Sequence, residues 1–204
     1  MQRKKLDVLF ILGSHRMDGN SSRIKYLVEA KPYNELIEAN YIMLKDKRLE
    51  ICQSCYKCTK YGSCAISDDV GKIVEQMKIS DIIIFVPVAY AFGLNSLFQI
   101  FLERAGFGYL RPQNRPLKNK IAMVAVIGRR YSHESIATQI INNILLNEMI
   151  IVGSGFLPLL HGEDFSGHIE TDSEGIEAFH KNLQHAIEYC LEQKGGAIYE
   201  NIID

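Results

Sequence analysis

A chain of 204 residues, 47% hydrophobic and 23% charged, has the make-up of a globular protein that buries a full core without disulfide staples. A net charge of −1 argues against nucleic acid or an anionic membrane surface as partner. No apolar run is long enough to span a bilayer, and the start of the chain mimics a secretory leader only superficially. After Arg3-Lys4-Lys5 the apolar run is short, contains Asp7 and leads into a glycine loop, so a cytoplasmic location is expected.

Apolar, β-branched runs alternate with helical patterns along the chain. Residues 6–12 read as a buried strand and 23–30 as a helix, with a loop rich in glycine and hydroxyl groups between them. A second strand is predicted at 39–44, then a cysteine-bearing loop, then a helix capped by Asp68 or Asp69 and running to Lys78. Residues 80–86 read as a third strand, apolar from Ile82 to Val86 as expected of a strand covered on both faces. A helix over 95–105, a strand over 120–127, a helix over 134–147, a strand over 149–152 and a long helix over 173–193 complete the pattern. No repeat or linker interrupts it, and one domain over 1–204 is expected. Such alternation predicts an α/β fold: a three-layer, doubly wound sandwich on a five-stranded parallel sheet of order 2-1-3-4-5, the flavodoxin-like arrangement. In that arrangement ligands bind outside the carboxyl ends of the strands, at the switch between strands one and three.

Three loops then fall at one edge of the sheet. The first, Gly13 to Ser22, precedes a helix N-terminus whose unpaired amides and dipole favour an anion, with Ser14, Ser21 and Ser22 as hydroxyl donors and Arg16 as the cation. It is neither a Walker A loop, since Asn20 stands where the lysine belongs, nor G-x-G-x-x-G. An ordinary capped turn is the plain alternative. The second loop, from Pro87 through Tyr90 and Phe92 to Asn95, offers a rigid proline, aromatic rings and glycine; the third offers Gly128, Arg129 and Arg130. Together they make a phosphate end and a planar end, the shape of FMN, although each alone is ordinary turn chemistry.

Four of five cysteines lie within Cys52-x-x-Cys55-x-x-Cys58-x5-Cys64, which in a reducing compartment argues for metal or redox chemistry. Three thiols at compact spacing with a fourth nearby suit a 4Fe–4S cubane, each reaching a different corner; zinc, free thiols and disulfides formed on oxidation stay open. Cys190 stands alone in a helical pattern and reads as a packing residue. His161, Glu163, Asp164 and His168, in an insertion over 156–171, are conceivable metal ligands, but no regular spacing gathers them, and a polar surface loop is expected.

Gly13-Ser14-x-Arg16-x-x-Gly19-Asn20-Ser21 resembles the fingerprint of the NADPH-dependent FMN reductase family, including its iron–sulfur flavoprotein branch. The cysteine spacing followed by Asp68-Asp69, Pro87-Val88 running on to Glu103-Arg104, Leu117-x-x-Lys120, Arg129-Arg130, residues 149–154 and Asp172-x-Glu174-Gly175 continue the likeness over nearly the whole chain. The resemblance implies a flavodoxin-like fold, bound FMN, NAD(P)H as co-substrate, and a homodimer or homotetramer with active sites near subunit interfaces. It implies further that Ser14, Arg16, Asn20, Ser21 and Ser22 hold the FMN phosphate. Pro87, Val88, Tyr90 and Asn95 would line the ring, with Gly128, Arg129 and Arg130 closing over it. Cys52, Cys55, Cys58 and Cys64 match the branch's cluster motif. His15 departs from the family's usual proline, Gln99 from a lysine and Glu103 from an aspartate; Pro-Val-Ala-Tyr is one residue longer than the common Pro-Val-Tyr, and the glycine pair that often follows the two arginines is absent. Two redox readings follow: an NAD(P)H-dependent oxidoreductase reducing flavin, quinone or a similar acceptor, and an electron carrier between a ferredoxin-type partner and FMN. A non-redox phosphate-ligand or zinc-structured binding module stands as a third.

Overall fold

The structure is a computed structural model that describes residues 5–162 and 168–195. Its centre is a parallel sheet of β1 (Leu6–Leu12), β2 (Ile37–Met43), β3 (Ile82–Val86), β6 (Ile121–Val124) and β8 (Ile150–Ile151), in the order β2-β1-β3-β6-β8. Counted among themselves, these strands have the order 2-1-3-4-5. Between them the chain forms α1 (Asn20–Glu29), a short α2 (Lys57–Tyr61), α3 (Val70–Ile79), a β4–β5 hairpin (Ala89–Tyr90 and Gly93–Leu94), α4 (Ser96–Ala105), β7 (Val126–Gly128), α5 (His133–Leu146), β9 (Leu159–His161) and α6 (Ser173–Gln193).

The period of two along the strands explains the layers. Val8, Phe10 and Leu12 of β1, with Ile82, Ile84 and Val86 of β3, pack against Ile24 and Val28 of α1 and Phe179, Leu183 and Ile187 of α6. The alternate residues, Leu9, Ile11, Ile83 and Phe85, face Ile73 and Met77 of α3, Phe98 and Phe101 of α4 and Ile140 of α5. Cys190 is buried in the first of these cores.

The fourth strand departs from expectation. Instead of one run over 120–127, β6 stays in the main sheet while β7 pairs with β9 in a second, two-stranded parallel sheet. The switch lies on the edge away from β3. There β8 pairs with β6 only through Ile150 and Ile151, and beyond it β9 takes its place, Val126 N–H donating to the Pro158 carbonyl at 2.9 Å. On the β3 side Ile127 N–H still reaches the Pro87 carbonyl. The segment expected as a plain surface loop thereby contains β9. Among the described residues no helix is long and apolar enough to cross a membrane.

On the α1–α6 side, His180 Nδ1 lies 2.7 Å from the Tyr33 hydroxyl, and burial followed by the charge of Lys31 pushes its pKa down to about 4. The fold therefore holds the neutral ring, so stability is full above the unfolded value near pH 6.5 and is lost as pH falls toward 4. Acidification across that window is expected to cost on the order of 2 kcal/mol through this residue once partial exposure is discounted. Thermal melts of His180→Gln, which keeps an acceptor for Tyr33 but cannot titrate, should fall less steeply over the same range.

Candidate functional site

The carboxyl ends of β1, β3 and the β6–β7 run open onto one edge. Gly13 N–H donates to the Val86 carbonyl at 2.9 Å, and Ile127 N–H to the Pro87 carbonyl at 3.0 Å, so the three loops start from a shared backbone frame. A Cβ on Gly13 would stand 2.5 Å from the Phe98 ring, which is why the chain turns there on glycine. Asn95 fastens the frame from below. Its side chain, 1% exposed, accepts from Phe98 N–H at 2.9 Å to cap α4 and donates to the Gly13 carbonyl.

The first loop ends on α1, whose N-cap is Gly19, so no side chain caps its first amides and no acidic residue occupies its first turn. Ser14 Oγ accepts from Arg16 N–H at 3.0 Å, and Ser22 Oγ donates to the Gly19 carbonyl at 2.7 Å. Asn20 Oδ1 accepts from Ile169 N–H at 3.3 Å, tying the loop to the turn before α6. Ser21 Oγ is fully buried with no hydrogen-bond partner, an arrangement that costs roughly 1–3 kcal/mol until an acceptor arrives. Arg16 is exposed at the rim. An uncapped helix start, an orphaned hydroxyl and a cation at the edge together suit a phosphate.

The other two loops supply rings. His15 packs on Tyr90 with ring centroids 4.9 Å apart and planes tilted by 33°, and its Nε2 lies 3.3 Å from Ser96 Oγ. The position where the family usually has proline is thus held by aromatic contact. Phe92, 77% exposed, meets Tyr131 of the third loop at 5.8 Å. Phe92 and Ala91 form the tip of the β4–β5 hairpin with φ of 63° and 47°, the left-handed values a tight two-residue turn demands and for which glycine or asparagine is the usual choice. Val88 bridges to Ile127, next to Gly128, and Arg129 and Arg130 are exposed beyond it. Behind Gly128, the buried His133 packs against His161 with ring centroids 4.3 Å apart and planes tilted by 35°, and burial, then His161, lowers its pKa. His161 N–H in turn donates to Asp172 Oδ2 at 2.7 Å. His161 is thus engaged with His133 and Asp172, while Glu163 and Asp164 lie outside the described residues. Gln99, where a lysine is usual, donates to Glu103 Oε1 and accepts from Gln139, both at 2.7 Å.

The four clustered cysteines sit elsewhere, on the α3–α4 side. Cys52, Cys55, Cys58 and Cys64 line one cavity of about 300 Å³. Among the described residues no group of three or more metal-ligating side chains converges on a single-ion position. The loop reaches this shape through Ser54 and Tyr56, both in left-handed conformations. It is fixed to the fold by a buried ion pair that residue types alone did not reveal as part of the site. Arg104 Nη1 and Nη2 reach Asp68 Oδ2 and Oδ1 at 2.7 and 3.0 Å, with the two side chains 1% and 0% exposed. The available signal was an arginine on the apolar stripe Leu97, Phe101, Arg104 of α4, where only a paired charge is tolerated.

A parallel sheet of this order with a phosphate-suited loop at its switch point defines a flavodoxin-like protein. The sequence model of the NADPH-dependent FMN reductases matches residues 6–164. An iron–sulfur flavoprotein of Methanocaldococcus jannaschii is 32% identical over 152 residues, covering 72% of this chain and 76% of that protein. One from Archaeoglobus fulgidus is 24% identical over 171 residues, covering 78% and 84%. In fold, the chain superposes on FerB, a flavoenzyme NAD(P)H:(acceptor) oxidoreductase of Paracoccus denitrificans, with TM-score 0.61 and 15% identity over 94% of this chain and 100% of that one. The chain belongs to the NADPH-dependent FMN reductase family and is an FMN-binding oxidoreductase.

Proposed function

We propose that this protein oxidises NAD(P)H and passes the electrons to a flavin, quinone or similar planar acceptor through FMN held at the three-loop edge. The observation that carries this reading is the orphaned Ser21 hydroxyl under an uncapped helix start, with Tyr90, Phe92 and Tyr131 gathered at the neighbouring loops. Ser14, Arg16, Asn20, Ser21 and Ser22 would surround the phosphate, with Asn20 and Ser14 shaping the loop as well as facing the ligand. Pro87, Val88 and Tyr90 would lie along the ring and Gly128, Arg129 and Arg130 across it, while Asn95 holds the loops together from beneath. When bound, FMN supplies the redox chemistry, accepting hydride at its N5 and releasing electrons to the acceptor. The chain's own part would be positioning: backbone N–H groups of the three loops would stabilise negative charge on the ring, and Tyr90, Phe92 and Tyr131 would shield a stacked partner from water. Assembly as a homodimer or homotetramer belongs to the same proposal and is checked by light scattering.

Rapid anaerobic mixing of the FMN-loaded protein with NADPH or NADH tests the reading. Bleaching of the flavin band by either nucleotide is expected, and a flavin left oxidised by both would overturn it.

A second reading is favoured by the cysteine cavity. Cys52, Cys55, Cys58 and Cys64 line this one cavity, and their compact spacing would let each thiolate reach a different corner of a cubane. We propose that they hold a 4Fe–4S cluster that exchanges single electrons with a ferredoxin-type partner. Protein prepared without oxygen should then contain iron and acid-labile sulfide in stoichiometric amounts; their absence removes this reading and leaves the first intact.

A further inference from the structure

Arginine has five N–H donors in a fixed fork. In Arg104 both Nη1 hydrogens are used, on Asp68 Oδ2 at 2.7 Å and on the Glu50 carbonyl at 2.6 Å, and Nη2 reaches Asp68 Oδ1 at 3.0 Å. Gripping the carboxylate end-on with its two Nη atoms turns Nε–H away from Asp68. That Nε is buried and has no partner. Arg104 lines the cysteine cavity together with Cys64, Phe107 and Gly108. The π-helical segment at Gly108 comes close to Cys64: a Cβ there would lie 3.1 Å from Cys64 Cβ and 3.6 Å from its Sγ. Cys64 thus sits against this backbone and lines the same cavity as the Arg104 guanidinium, with which it interacts. Burial works against the Arg104 charge, but Asp68 and, beyond it, Cys64 hold its pKa above the ordinary arginine value.

We propose that the Nε–H of Arg104 is held in place by Asp68 as a hydrogen-bond donor to Cys64 Sγ, and that Arg104 thereby raises the reduction potential of a cluster carried by the four cysteines. The proposal rests on the cluster reading above. One electron arriving from a one-electron donor adds one unit of negative charge to the site, with no bond made or broken. A charged N–H on one of the sulfurs favours that more negative state, and hydrogen bonds to sulfur are among the protein's levers on cluster potential. Arg104 acts through Cys64 and is a positioning residue. Asp68 serves as its clamp, holding both Nη atoms, with the Glu50 carbonyl as a second hold on Nη1.

The test uses the full-length protein reconstituted without oxygen with iron, sulfide and FMN, and titrated with dithionite while the cluster's paramagnetic signal is followed. Arg104→Lys keeps a cation opposite Asp68 and removes Nε. Its cluster potential is expected to fall by the equivalent of a ten-fold change in the reduction equilibrium, about 59 mV for one electron, with the FMN potential unmoved. An unchanged cluster potential, or an equal shift of both potentials, overturns the proposal. Should the variant fail to fold or to load, electron–nuclear double resonance on wild-type protein carrying 15N-arginine decides. Coupling of an arginine nitrogen to the reduced cluster supports the proposal, and its absence overturns it. Wild-type protein without iron and sulfide would remove the cluster reading itself, an outcome distinct from a cluster that ignores Arg104.

Discussion

Asp68→Ala is expected to destabilise the protein by about 3–5 kcal/mol, because it leaves the Arg104 guanidinium buried without a counter-charge. Arg104 is 1% exposed on the inward side of α4, where its charge is paired only with Asp68 among the described residues. The carboxylate has further duties. Oδ2 accepts from Glu50 N–H at 3.0 Å and Oδ1 from Val70 N–H at 3.2 Å, so its loss also releases the start of α3 and the strand of chain leading into the cysteines. Asp68→Asn keeps one acceptor oxygen for these amides while losing the charge, and should fall between wild type and alanine. Urea titration at constant m-value separates the three. A loss below about 1 kcal/mol for the alanine variant would mean that the pair is no more than a surface ion pair in effect.

That ion pair also marks where the sequence stopped being legible. The layers were readable because residues on both faces of β1 and β3 are apolar, and only a sheet covered by helices on both sides accounts for Leu9 and Ile11 being as apolar as Val8 and Phe10. The Gly13–Ser22 loop was readable because local chemistry marks it: glycines and hydroxyl side chains between an apolar strand and a helix start. What depends on distant partners was not. Pairing of β7 with β9 spans 33 positions between Val126 and Leu159, and neither three-residue strand carries a pattern of its own. The hairpin tip at Ala91-Phe92 escaped notice because the two residues at positive φ are not the glycine or asparagine that announce such turns. Such a departure from local preference, at the edge where the three loops meet, is where function rather than stability is expected to have set the residue. Arg104 was visible as part of a motif, but its partner lies 36 residues earlier, and only the fold shows that one guanidinium both anchors the cysteine loop and keeps a donor in reserve.

Gly13→Ala is expected to strip the protein of flavin while leaving the sheet intact. The new methyl would lie 2.5 Å from Phe98 Cδ2 and 3.3 Å from the Val86 carbonyl oxygen. Phe98 cannot swing aside, being fully buried and packed edge-on against both Phe85 and Phe101. The loop must therefore lift, loosening the Asn95 tie to the Gly13 carbonyl and moving Ser14 and Ser21 relative to the start of α1. Overpacking of this kind costs about 1–3 kcal/mol in stability. A loss of roughly 1.4 kcal/mol in FMN binding alone is a ten-fold rise in Kd, and misplacing several phosphate donors at once should exceed that. Gly106→Ala is the matched control: its backbone is helical, at φ −63° and ψ −59°, and a Cβ there meets nothing within 4 Å. Fluorescence titration of free FMN should show weak binding for Gly13→Ala, an intermediate loss for Ser21→Ala with Ser22→Ala, and wild-type affinity for Gly106→Ala. If Gly13→Ala and the double serine variant both retain full flavin content, the phosphate does not sit on this loop, and the three-loop edge is not where FMN binds.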